Sequence, residues 1–191
     1  MRPFGHQAVL SVVVALTISI FGPAPAARAQ QQAIAAGPKP PASVLSGLPV
    51  PRFVSLKSSR VHARQGPGMD HKVLWVYRRV GLPLEVIREF EGWRQIRDSD
   101  GAEGWVVHSL VSGRRTALVM PWETKKQEPK PKLSLLASAK PSARPVAIIE
   151  AGVLASVKSC DTRWCLVSVG SLRGYIPQKS LWGVYPGEVI E

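Results

Sequence analysis

From residue 52 onward the chain alternates between apolar and polar positions in short runs, broken by Gly, Asp and Ser at close spacing. Leu84-Glu85-Val86-Ile87 and Leu166-Val167-Ser168-Val169 are two such runs. Successive side chains leave a strand on opposite faces, so this pattern predicts strands rather than helices. Two tight hairpins follow from the same reading. Val169-Gly170-Ser171-Leu172 fits a two-residue turn, and Asp98 to Ala102 enclose a three-residue loop with Gly101 in the left-handed position. Seventeen prolines and sixteen glycines, nearly all outside long periodic runs, argue against a helical bundle. The expected fold is all-β.

The pattern occurs twice. Gly81-Leu82 to Trp93 and Gly152-Val153 to Trp164 share the same spacing at an offset of 71. Gly104-Trp105-Val106 matches Gly174-Tyr175-Ile176 one residue short, and Leu110 returns to the offset of 71 at Leu181. Such self-similarity predicts two small domains in place of one mixed one. We place the first at 52–113 and the second, divergent copy at 133–191.

The segments outside the copies read differently. Ala8 to Phe21 form an uncharged apolar stretch of 14 residues behind Arg2 and His6, followed by Ala27-Arg28-Ala29. That is the layout of a secretory signal peptide, 1–29, and it falls short of the ~20 residues that span a bilayer. Residues 30–51 and 114–132 have linker composition, the first Pro/Ala-rich and the second basic and Pro/Lys-rich. The net charge of +12 falls to +10 once residues 1–29 are removed. Residues 114–145 alone carry +6, against +3 for 52–113 and 0 for 146–191. The basicity thus belongs to a connector, and export largely removes nucleic acid as a partner. The expected location is periplasmic or secreted, with no membrane span after signal cleavage.

Catalytic and metal constellations do not emerge. His6, His62, His71 and His108 never pair at metal-ligand spacing, and neither Cys has a His nearby. We expect no catalytic residue, no metal and no cofactor. The aromatic residues are more informative. Ile96 and Val167 are the apolar residues kept at matching positions of the two copies, so they face the core. Trp93 and Trp164 are out of phase with them and point to the opposite face. Pairing the hairpins through their turns sets Gln95 opposite Trp105, and Leu166 opposite Tyr175. Trp93 then becomes a diagonal cross-strand neighbour of Trp105. These rings either form a ligand platform or cover the domain's open side, and Trp75 and Tyr77, which share a strand face, pose the same choice. Cys160 and Cys165 map at the offset of 71 onto Glu89 and Arg94, which carry opposite charges. Positions facing across a hairpin suit an ion pair in one copy and a disulfide in the other, two unbonded thiols being the alternative.

Val61-His62-Ala63-Arg64-Gln65-Gly66-Pro67, Val73, Val76, Gly81, Val86, Gly92-Trp93 and Gly104-Trp105-Val106 resemble the bacterial SH3-like family. His62 and Ala63 depart from the family's usual pattern. The second copy keeps the Gly turn, the Trp and Gly174-Tyr175-Ile176, but Leu135 to Lys140 replace the Arg-x-Gly-Pro loop. The resemblance implies two small SH3-like β-barrels joined by a Pro/Lys-rich linker, each a binding module without catalysis. It implies a module for cell-wall peptide or an envelope protein, which with the signal-like N-terminus makes an exported binding protein; Trp93, Trp105, Arg64, Trp75 and Tyr77 are its candidate ligand-binding residues. A periplasmic interaction or regulatory scaffold without direct wall binding is the alternative.

Overall fold

The computed structural model describes residues 45–124 and 128–191. The expected signal peptide and residues 30–44 of the first linker lie outside them. The described residues are all-β, with helical geometry confined to three single 3-10 turns, His108–Leu110, Pro121–Glu123 and Gln178–Ser180. No helix among them is long and apolar enough to cross a membrane.

Fourteen strands form two seven-stranded antiparallel sheets. The first contains β1 (Arg52–Leu56), β2 (Val61–Arg64), β3 (Val73–Tyr77), β4 (Pro83–Phe90), β5 (Trp93–Arg97), β6 (Glu103–Val107) and β7 (Val111–Ser112). The second contains β8 (Thr116–Val119), β9 (Lys132–Leu136), β10 (Pro145–Glu150), β11 (Leu154–Cys160), β12 (Trp164–Val169), β13 (Leu172–Pro177) and β14 (Leu181–Trp182). Their orders are β3-β2-β6-β5-β4-β1-β7 and β10-β9-β13-β12-β11-β8-β14. Adding seven to each label of the first sheet reproduces the second, so the duplication is complete in topology.

The hairpins have the expected registers. Gln95 faces Trp105 on β5 and β6, and Leu166 faces Tyr175 on β12 and β13. Asp98 closes its loop by donating its N–H to the Ala102 carbonyl, with Gly101 at φ +83°. Both copies also shift register at the same place, between Val86 and Arg88 and between Val157 and Ser159. Beyond that bulge Glu89 faces Arg94, and Cys160 faces Cys165. Arg94 Nε lies 2.9 Å from Glu89 Oε1, and a disulfide joins the two cysteines. One hairpin position is thus closed electrostatically in one copy and covalently in the other.

Each module has its own core. Val54, Leu56, Val61, Ala63, Leu84, Val86, Ile96 and Val106 fill the first. Ala117, Val119, Leu135, Ala155, Val167, Ile176 and Leu181 belong to the second. Gly104 and Gly174 occupy matching places where β2 and β9 cross close by. A Cβ on Gly104 would sit 3.1 Å from that of Ala63, and one on Gly174 would sit 2.7 Å from both Leu135 Cγ and the Leu136 carbonyl. The glycine ahead of each Trp or Tyr is required by that approach.

The boundary between the modules differs from the sequence reading. Residues 114–132 were expected to be a linker, yet Thr116–Val119 is strand β8, buried throughout and paired with both β11 and β14. It is the counterpart of β1. Four residues of strand vanish when composition is averaged over a segment rich in Lys, Arg and Pro. Only Gly113 to Arg115 connect β7 to β8, and β9 begins at Lys132. The first linker also reaches further into structure than expected, since Ser46 Oγ donates to Glu89 Oε1 at 2.9 Å.

Two predictions follow from these pairings. A fragment 133–191 lacks β8 and should be unfolded by far-UV circular dichroism, whereas 113–191 should melt cooperatively. Replacing both cysteines by Ser should lower stability by about 2 kcal/mol, the chain-entropy value for so short a loop, read as a shifted denaturant midpoint.

Candidate functional site

The residues singled out in the first module are brought close together, but mostly as packing. Tyr77 is 8% exposed and belongs to the core, its hydroxyl donating to Asp98 Oδ2 at 3.1 Å. Burial first, and then the Asp98 charge, push its phenol well above the usual range. Tyr77 is therefore no part of an open platform, because β3 closes the sheet edge over Val61 and turns this ring inward. Trp75 meets it edge-on with ring centroids 6.1 Å apart. Trp105 is 9% exposed, while Trp93 is half-buried on the face opposite Ile96. Trp93 and Trp105 are not among the ring pairs of the described residues. Arg64 donates from Nη1 to the His71 carbonyl at 2.7 Å and so ties the loop 65–72 shut.

The open aromatic surface lies on the second module, where it meets the first. A groove of about 1600 Å³ runs there, floored by Phe53, Trp122, Trp164, Trp182 and Tyr185. The 98–101 loop of the first module forms part of its wall. Trp164 reaches it because β12 alternates, with Cys165 and Val167 inward and Trp164 outward. Trp182 Nε1 is buried and has no hydrogen-bond partner. Sequence reasoning placed Trp164 on this outward face but missed Phe53, Trp122, Trp182 and Tyr185. The available signal was simple: three of the six tryptophans lie beyond residue 113.

One junction holds the two halves of the groove together. Phe53 of β1 packs between Trp182, with centroids 5.2 Å apart at 84°, and Tyr185, with centroids 4.7 Å apart at 40°. The Tyr185 hydroxyl donates to Glu85 Oε1 at 2.9 Å, and Arg97 donates twice to Glu85 Oε2, at 3.0 and 2.7 Å. Burial, and then the Glu85 charge, push the Tyr185 phenol far above its usual range, so it remains a donor. Behind this junction Ser55 Oγ lies 2.6 Å from Thr116 Oγ1, which donates to the Gly81 carbonyl at 2.6 Å.

The end of the groove near Trp164 is built by two short turns. The amides of Arg163 and Trp164 both donate to Asp161 Oδ1 at 2.6 Å, and they hold the Asp161 carboxyl below its usual range. The Gln178 amide N–H donates to the Arg163 carbonyl at 2.8 Å. The buried Gln178 side chain donates to the carbonyls of Asp161 (3.2 Å) and Glu188 (2.7 Å), and accepts from Gly187 N–H (2.7 Å). One amide side chain thus fixes the 161–164 turn, the end of β13 and the C-terminal segment against each other. Among the described residues no group of three or more His, Cys, Asp or Glu is placed to hold a metal ion.

Residues 57–113 and 130–183 each match the bacterial SH3 domain family. The chain belongs to that family. No curated protein matches this bacterial SH3 protein. Among solved structures, NlpC2 and NlpC1 from Trichomonas vaginalis are similar, at 8% and 9% identity and a TM-score of 0.31 each. The matches cover 69% of this chain and 48% and 45% of those chains, so it spans about half the length of either.

The junction makes a measurable prediction. Phe53→Ala removes a buried ring held between two others and should lower stability by about 3 kcal/mol. In a calorimetric scan the native chain should unfold in one transition and the variant in two, one per module.

Proposed function

We propose that this tandem bacterial SH3 protein is exported and binds cell-wall peptide without catalysing a reaction, and that its binding surface is the groove at the module junction. The observation that supports the reading is the groove itself. Aromatic rings from both modules line a concave, open surface, and rings of this kind combine large apolar contact with little conformational freedom to lose. Family membership supports a binding role, and the signal-like N-terminus supports export to the compartment where wall peptide is found.

A second reading, an interaction scaffold for another envelope protein, has an observation of its own. β10 is an edge strand of the second sheet, and Val146 and Ile148 stand exposed on it. An uncovered apolar edge is a template for strand addition by a partner.

Pull-down on purified sacculi separates the two. Retention on wall stripped of protein is expected, and Trp164→Ala should weaken it several-fold, the loss of one stacked ring. Retention only when envelope proteins are left on the wall would support the scaffold instead.

A further inference from the structure

We infer that the groove takes an extended peptide with a free carboxylate, and that Arg163 and Lys179 hold that carboxylate at the Trp164 end. The inference rests on the wall-peptide reading and names the ligand chemistry of the same site.

Size sets the first limit. A groove of about 1600 Å³ exceeds the roughly 300–1,000 Å³ of small-molecule sites. It suits an extended oligomer that lies along the floor. Prolines 141, 145, 177 and 186 join the aromatic residues in the lining. These surfaces accept a largely neutral backbone and not a densely charged one.

Charge then sets direction. The groove's cations are Arg97, Lys132, Arg163 and Lys179. Arg97 is engaged by Glu85, and Lys132 lies 3.8 Å from Glu150. Arg163 and Lys179 are exposed, and among the described residues neither side chain has a hydrogen-bond or ion-pair partner, although Arg163 is close enough for its charge to help hold the Asp161 carboxyl low, behind the two turn amides. Asp161 is the acid nearest in sequence, and its Oδ1 serves the turn amides. The Gln178 staple brings the two cations together, because Lys179 follows the residue whose amide bonds the Arg163 carbonyl. The 98–101 loop adds Asp98 and Asp100 to the lining. A phosphate polymer would need cations along its whole track. Here the two cations without an ion-pair partner are tied together by Gln178 beside the aromatic and proline lining, which fits a neutral extended chain with a carboxylate at one end.

The test uses the full exported chain and soluble stem peptides cut from purified sacculi, titrated by calorimetry. The same peptides with their carboxyls amidated, and inorganic polyphosphate, serve as comparison probes. Arg163→Gln with Lys179→Gln should bind the free peptides about tenfold more weakly or worse, as should the native chain with amidated peptides. Raising salt should weaken native binding more than variant binding. Unchanged melting of the variant shows that the fold is intact. Equal affinity for free and amidated peptides, or for native and variant chains, overturns the inference. So does binding of polyphosphate in place of the peptides. Retention of the variant on sacculi at the native level would remove the carboxylate contact and leave the wall reading standing. Failure of the native chain to bind sacculi at all would remove the wall reading itself.

Discussion

Glu85 is a carboxylate with 5% exposure, and a charge so deeply withdrawn from water is tolerated only when it is paired and hydrogen-bonded. Three bonds satisfy it, two from Arg97 of its own module and one from Tyr185 of the other. The Tyr185 bond is directional, so it fixes the C-terminal segment against β4. Phe53 then fills the space between Tyr185 and Trp182. The groove depends on this pairing, because part of its wall comes from the first module and most of its floor from the second.

Duplication explains how such a junction forms with so little chain. β7 and β8 are separated by residues 113–115 alone, so the last strand of one sheet leads almost directly into the first strand of the next. Each sheet places that first strand between its fourth and seventh strands, β1 between β4 and β7, and β8 between β11 and β14. The two inserted strands are therefore near neighbours, and Ser55 of β1 meets Thr116 of β8. A long flexible tether would have left their relative position undetermined. The short connection makes the second module an extension of the first.

Local features were legible in the sequence because their causes are local. The turn residues Gly101 and Gly170 set the hairpin registers, and the repeat offset paired Glu89–Arg94 with Cys160–Cys165. β8 was not legible, because Thr116 to Val119 is shorter than the window over which linker composition is judged. The family match shares that blind spot: its two segments begin at residues 57 and 130, after β1 and after β8. The groove was illegible for another reason. Phe53, Trp122, Trp164, Trp182 and Tyr185 lie far apart in sequence, and only the docking of two sheets collects them.

The same limit draws a reading of the sequence toward the first module's aromatic residues. Trp75, Tyr77, Trp93 and Trp105 are close in sequence and fall on neighbouring strands, so pattern reasoning groups them. A sheet of about sixty residues buries too small a fraction of its surface to leave large rings idle. Tyr77 and Trp105 are accordingly spent inside, and Trp75 packs against that core. In the second module the equivalent need is met differently. Leu135, Ile149 and Ile176 fill its interior, and the Cys160–Cys165 bond closes its β11–β12 hairpin. With aliphatic side chains and a covalent link supplying that stability, Trp122 and Trp164 are left at the groove surface, while Trp182 packs on Phe53 at the junction. The copy that departs further from the family pattern is thus the one that offers the broader open aromatic face.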